Sequence, residues 1–365
     1  MKIFILANSC WNIYNFRIDL INHLAKNHSL YVLAPQDNYT KYIVEKKIEY
    51  KKLEIKNSFK YIFLDILYII KLTYYIIKFK PDYVLSFTIK PNIYSAFVSK
   101  FFKFKLIINI SGLGSSIIKK SFLKKIILLL YKISFKNVYH IFFQNKYDQR
   151  YFTFNKIINN KSKYSVIPGS GINTDNYKFS PQYPKEQRYI FIGRLIKDKG
   201  INELIESIKL IKKKYSNIKF GIIGMIDKNN PSSISKELLD RYIENKLFDY
   251  YSFSLKVKDH IIKSRAVILP SYREGTSKVL LESLSLGRPI IVSDVPGCKE
   301  LVNNGLNGII SKKKNINSLT ESIESFIKLS ESQCIQMGKN GNKFVNDFYS
   351  VKIIIKEYSA LINNL

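Results

Sequence analysis

Leu269-Pro270-Ser271-Tyr272-Arg273-Glu274-Gly275-Thr276-Ser277-Lys278-Val279-Leu280-Leu281-Glu282-Ser283 is the stretch on which the reading of this chain turns. The apolar run from Val267 to Pro270 reads as a short buried strand stopped by a proline. A polar, glycine-containing turn follows, then a helical pattern. Thr276 or Ser277 is placed to cap that helix, so its first N–H groups point into the loop and favour an anion there. Glu282 lies eight positions beyond Glu274, about two helical turns, so both carboxylates can face one cleft.

Working outward, strand-like apolar runs alternate with helical patterns along the 365 residues, a length that exceeds one hydrophobic core. The pattern predicts two α/β domains with parallel sheets. In the first half, strands are expected at 2–7, 29–34, 50–54, 82–87, 105–110 and 139–144, with helices between them. A strand near 163–168 runs into Gly169-Ser170-Gly171, and the polar stretch 180–187 completes the connection. The second half restarts with a strand at 189–192 and continues through a strand at 218–223, helices near 235–245 and 256–264, and a strand at 289–293 ending on Asp294-Val295-Pro296-Gly297. The boundaries follow as 1–168, 169–348 and a terminal helix over 349–365.

Ligands of open α/β sheets sit outside the carboxyl ends of the strands, which directs attention to the loops there. Gly193-Arg194-Leu195-Ile196-Lys197-Asp198-Lys199-Gly200 places an Arg and a Lys five apart, able to neutralise a diphosphate from two sides. The first loop, Asn8 to Arg17, has no glycine, since none precedes Gly112, so close approach of a diphosphate to that backbone is not expected. Its side chains can still line a cleft. Thr88 to Asn92, with Lys90, and Ser111-Gly112-Leu113-Gly114 are the other loops of this kind. His140, inside an apolar strand, reads as a core residue.

Together the Glu274-Gly275 turn, Glu282 eight residues on, and the strand Gly287-Arg288-Pro289-Ile290-Ile291 resemble the Glu-x7-Glu signature of retaining nucleotide-sugar glycosyltransferases of family 4. Gly193 to Gly200 is similar to the Gly-Arg-Leu-x-x-x-Lys-Gly loop of those enzymes, and Gly112 to Gly114 resembles a loop of their O-antigen-type members. The resemblance spans the second half in motif order and the first half loosely. It implies a GT-B fold, two Rossmann-like domains facing a central cleft with the last helix crossing back to the first domain. The implied activity is transfer of a sugar, with retention, from a nucleoside diphosphate sugar, a UDP-hexose or UDP-N-acetylhexosamine, to a polyprenyl-diphosphate-linked saccharide in bacterial surface polysaccharide synthesis. On the donor side it implies Gly193, Arg194, Lys199, Glu274, Gly275, Thr276, Ser277 and Glu282, with Glu274, Arg194 and Lys199 acting in catalysis, Glu274 at the sugar and Glu282 at the ribose. On the acceptor side it implies Asn8, Arg17, Lys90, Gly112 and Gly114. The histidine that many members carry near Gly112 is absent.

No Asp-x-Asp and no His or Cys cluster with ligand spacing occurs, so no metal and no other cofactor is expected. The formal charge of +31, carried by 51 Lys and only eight Arg, fits an anionic membrane surface, nucleic acid, or an AT-rich coding bias. Nucleic acid is set aside because no aromatic RNA-binding strand or recognition helix is present. A membrane surface is favoured by two lysine-rich amphipathic stretches, 59–80 and 117–136. Three scattered cysteines, an initial strand in place of a signal peptide and no span of roughly 18 apolar residues give a cytoplasmic expectation, peripheral on the cytoplasmic face of the inner membrane. A basic nucleic-acid-binding protein and a non-catalytic GT-B subunit are the alternatives.

Overall fold

The computed structural model describes residues 1–46, 48–56, 62–112, 122–159, 161–227, 230, 232–254 and 256–363. Two compact units divide the chain: Met1–Ser170 with Val351–Leu365, and Gly171–Ser350.

In the first unit the order is β1 (Lys2–Leu6), α1 (Cys10–Leu24), β2 (Ser29–Ala34), α2 (Thr40–Val44), β3 (Glu49–Lys52), α3 (Ile62–Phe79), β4 (Tyr83–Phe87), α4 (Ile89–Val98), β5 (Lys105–Ile110), α5 (Phe122–Ser134), β6 (His140–Phe143), α6 (Lys146–Phe154) and β7 (Tyr164–Val166). Among the described residues the sheet runs β3-β2-β1-β4-β5-β6-β7, and its pairings are parallel. Central strands such as Tyr83–Phe87 are buried at every position, as a parallel strand covered by helices on both faces must be. Strand order reverses between β1 and β4. The turns after these two strands therefore part to opposite faces and leave a crevice at their carboxyl ends.

The second unit repeats the design with β8 (Arg188–Ile192), α7 (Ile201–Lys214), β9 (Lys219–Ile223), α8 (Lys236–Glu244), β10 (Asp249–Tyr251), α9 (Val257–Ile262), β11 (Ala266–Leu269), α10 (Lys278–Ser285), β12 (Ile290–Ser293), β13 (Gly308–Ser311), α11 (Ile316–Ile327) and α12 (Glu331–Phe348). The described sheet is parallel in the order β10-β9-β8-β11-β12-β13, and its reversal falls between β8 and β11. The last helix, α13 (Val351–Asn363), returns to the first unit and buries Ile354, Tyr358 and Ile362 in the core that holds Ile3, Ile13 and Phe142.

Edge strands β10 and β13 carry no expectation from sequence. Three residues, Asp249-Tyr250-Tyr251, are too short to show a period, and Gly308–Ser311 opens on a glycine. Of the two lysine-rich stretches, the parts before Ile62 and before Phe122 lie outside the described residues.

Candidate functional site: the loops at the second sheet's reversal

The reversal between β8 and β11 brings together two loops that are far apart in sequence. Residues 193–200 leave β8 and residues 270–277 leave β11, and the two are bonded where Tyr272 N donates to Asp198 O at 2.9 Å. Gly200 sits at φ +73°, and a Cβ there would stand 2.1 Å from Pro270 O, so only glycine permits this approach. A third loop, following β12, closes on the same turn. Glu274 N donates to Pro296 O at 3.1 Å and Ser277 N to Gly297 O at 3.3 Å, while a Cβ at Gly297 would lie 2.3 Å from Gly275 O.

The backbone so fixed aims a compact set of polar groups. Lys199 Nζ donates to Glu274 Oε1 at 2.5 Å, and Ser271 Oγ donates to the same oxygen at 2.6 Å. Both bonds fall on one carboxylate oxygen, which leaves the other face of the group for a ligand hydroxyl. Ser277 caps α10 without a side-chain hydrogen bond, so its hydroxyl does not cover the helix N-terminus. Thr276 and Gly275 occupy the turn immediately before it. Glu282, on the second turn of α10, is 8% exposed and accepts from Tyr177 Oη at 2.9 Å, with Lys278 Nζ at 3.8 Å. Burial raises its pKa above the ordinary carboxylate value, opposed by Lys278 and the Tyr177 bond. Arg194, 60% exposed at its side chain, pairs with Asp227 at 3.2 Å. Beneath the turn Cys298 is fully buried, which holds its thiol protonated.

Sequence reasoning missed several of these partners. Ser271 was visible in the motif but unassigned, and Tyr177 lies 105 residues from Glu282 with no local signal. Tyr272 Oη donates to Glu203 at 2.5 Å, which ties the turn to the first turn of α7. Arg288, part of the 287–291 motif, is 1% exposed and spends the planar fork of its side chain on the carbonyls of Ile262, Ser180 and Gln182. It is a structural clamp.

The residues expected on the acceptor side stand in the first unit. Asn8 lies in the turn between β1 and α1, beside the N-cap Ser9. Arg17 is on the second turn of α1 and 3% exposed. Lys90 is 4% exposed and its ammonium lies 2.7 Å from both oxygens of Asp65, a buried ion pair that ties α4 to α3. That environment is a structural one, which the sequence could not distinguish from an exposed loop lysine. Gly112 has φ +139° after β5, and Gly114 lies outside the described residues. Among the described residues no three His, Cys, Asp or Glu side chains cluster as a metal site, and no helix is long and apolar enough to cross a membrane.

Comparison with known proteins agrees with this geometry. Residues 173–344 match the family model of the group 1 glycosyl transferases, and residues 2–145 that of the glycosyl transferase 4-like proteins. A Campylobacter jejuni relative, N,N'-diacetylbacillosaminyl-diphospho-undecaprenol alpha-1,3-N-acetylgalactosaminyltransferase, is 26% identical over 393 aligned residues, covering 100% of this chain and 99% of its own. Staphylococcus aureus CapM, a capsular polysaccharide biosynthesis glycosyltransferase, is 32% identical over 194 residues, 52% of this chain and 50% of its own. Among solved structures, Anabaena HepE in complex with UDP-glucose superposes with a TM-score of 0.81 at 16% identity over the whole of both chains. Sucrose-phosphate synthase from Thermosynechococcus elongatus gives 0.79 at 15% identity, covering 99% of this chain and 98% of the other. These two carry the GT-B fold, two parallel-sheet Rossmann-like domains, which is therefore the fold of this chain.

Proposed function

From the premise that this chain belongs to the glycosyl transferases, a 4-like domain followed by a group 1 domain, we propose that it moves a sugar from a UDP-sugar to a polyprenyl-diphosphate-linked saccharide, with retention and without a metal. The observation that carries the reading is the triad of Ser271, Glu274 and Lys199 held at the reversal of the second sheet. In this reading the second oxygen of Glu274 accepts from hydroxyls of the donor sugar, and Glu282 accepts from the ribose. Lys199, Arg194 and the N-terminal amides of α10 face the diphosphate. Breaking the anomeric C–O bond places charge on that diphosphate, so cations and amides already aimed at it lower the barrier. They also take over the neutralisation that a divalent metal would otherwise supply.

In this reading no carboxylate acts as a nucleophile: Glu274 shares one oxygen with Lys199 and Ser271 and holds the donor sugar's hydroxyls with the other. In the same-face reaction, the acceptor oxygen bonds to the anomeric carbon as the phosphate leaves, and the acceptor's hydroxyl proton passes to that phosphate. The choice of acceptor rests on the Campylobacter relative, named for a diphospho-undecaprenol substrate and aligned over the full chain. The UDP reading rests on HepE, solved with UDP-glucose.

Attachment to an anionic membrane surface belongs to the same proposal. On α3 the side chains of Phe63, Ile66, Ile70, Tyr74 and Ile77, between 50% and 71% exposed, recur three or four residues apart. Leu129 and Ile133 on α5 are exposed too. Lys71, Lys78, Lys124 and Lys125 lie on the same helices, and each lysine near a headgroup layer contributes roughly 1 kcal/mol. Lys119 and Lys120 lie outside the described residues.

The test is a panel of nucleotide sugars, first by thermal shift and then by turnover on an undecaprenyl-diphosphate-linked saccharide. A UDP-sugar that both stabilises the protein and is consumed supports the reading. Stabilisation by none, with no transfer, overturns it.

A further inference from the structure

Six of the eleven buried polar side-chain atoms without a hydrogen-bond partner among the described residues gather around the first sheet's own reversal: Asn12 Oδ1, Arg17 Nε, Arg17 Nη1, Ser86 Oγ, Thr88 Oγ1 and Asn92 Oδ1. Buried polar groups are nearly always satisfied within a native protein, so such a concentration calls for an explanation. The residues are linked to one another. Arg17 Nη2 donates to Asn109 Oδ1 at 3.3 Å and its guanidinium carbon lies 4.4 Å over the Phe87 ring, next to Thr88. Asn92 Nδ2 donates to Asn109 O at 3.0 Å, and Gln144 Nε2 shares Asn109 Oδ1 at 3.2 Å. Asn109 is the penultimate residue of β5, and Thr88 follows β4, so the group stands at the carboxyl end of the sheet.

Two features single it out. The first is charge: Arg17 is 3% exposed and has no ion-pair partner among the described residues, only the Asn109 amide, the face of Phe87 and the electrostatic influence of Tyr358. A buried cation without a counter-charge is costly unless something brings one, and burial accordingly lowers the guanidinium's pKa. The second is strain. Thr88, which is not a glycine, is held at φ +74° and ψ 156°, a conformation that costs free energy and concentrates at ligand sites.

We propose that Arg17, with Asn92 and Thr88 beside it, receives an oxyanion of the acceptor, the diphosphate that joins saccharide to lipid. This rests on the acceptor reading above. Nε–H and Nη1–H leave from opposite edges of the guanidinium plane and both lack a partner among the described residues, so each can donate to an oxygen of an incoming oxyanion. Asn92 Oδ1 and Thr88 Oγ1 take hydroxyls. A carboxylate on an acceptor sugar presents the same chemistry as the linker diphosphate, and the experiment separates the two.

The full chain is labelled with ¹⁵N-arginine, and the Nε–H signals of its eight arginines are followed while UDP is kept saturating. Geranyl diphosphate and sodium glucuronate are the probes, and Arg17→Met assigns the Arg17 signal. The expected result is a shift of that signal with geranyl diphosphate, at least tenfold weaker binding of it in Arg17→Met, and a melting temperature of that variant no lower than wild type, because the lost cation had no counter-charge among the described residues. Partial recovery in Arg17→Lys, which keeps charge without the fork, completes the pattern. A shift with glucuronate alone supports the oxyanion site and moves its source to the sugar. No shift with either probe overturns the proposal, whatever the stability of the variant. The readout is binding, so it stands apart from whether the chain transfers sugar to a lipid-linked acceptor.

Discussion

Gly297→Ala isolates what the third loop does for the Glu274 turn. The residue sits at φ +83°, and its Cβ would lie 2.3 Å from Gly275 O and 2.5 Å from Glu274 O, against the 3.0 Å below which real Cβ atoms are essentially never found. The turn must therefore yield by about 0.7 Å, and it is backbone that must move. Displacements of about 1 Å at a reacting group cost on the order of a hundredfold in rate. We expect kcat/KM to fall at least tenfold, about 1.4 kcal/mol or more. Left-handed geometry adds about 1–2 kcal/mol of strain, worth roughly 2–4 °C per kcal/mol in a unit of this size. Gly305→Ala is the matched control. It has φ +79° and nothing within 4 Å of its would-be Cβ, so it carries the strain without the collision. Steady-state transfer and melting temperature are measured on both. Equal turnover in the two variants, at equal melting temperature, would refute the claim that Gly297 sets the position of the Glu274 turn.

Lys199→Ala and Arg194→Ala are each expected to lower turnover at least tenfold with little change in melting temperature; unchanged turnover in both removes the diphosphate clamp. Transfer should survive excess chelator, and loss rescued by magnesium or manganese would contradict the metal-free reading. His140, half-buried and bonded to Ser165, is held near a pKa of about 4, chiefly by burial, with Lys163 adding to it. The unfolded ring takes a proton from about 6.5 downward while the folded ring does not, so stability is full above that value and falls as pH drops toward 4. Denaturant titrations across that window should show the slope in wild type and lose it in His140→Gln. Vesicle co-sedimentation should show salt-dependent binding to anionic lipid that weakens when Lys119, Lys120, Lys124 and Lys125 become Gln; equal binding makes the charge a matter of composition.

The stretch 269–283 was legible because its information is local: an apolar run, a proline, a glycine turn and a helical period each act within a few residues. The meeting of Lys199 with Glu274 across 75 residues follows from the same reading once the strands are ordered, since the reversal of a doubly wound sheet juxtaposes those two loops. What stayed hidden depends on burial. Lys90 reads as a site cation in sequence, and in the fold it is enclosed with Asp65, as the motif residue Arg288 is by backbone carbonyls. Tyr177 reaches Glu282 from a segment with no periodic pattern of its own. Arg17 was visible as a loop-proximal arginine, but its lack of a counter-charge among the described residues is a property only of the packed unit.

The most direct measurement is the configuration of the new bond. The full chain is incubated, with chelator present, with an undecaprenyl-diphosphate-linked saccharide and whichever α-linked UDP-sugar stabilises it most, and the product's anomeric signal is read by NMR while released UDP is counted. One α-glycosidic bond for each UDP is the expected outcome. A β-linked product, or UDP released only by hydrolysis with no sugar reaching the acceptor, would contradict it.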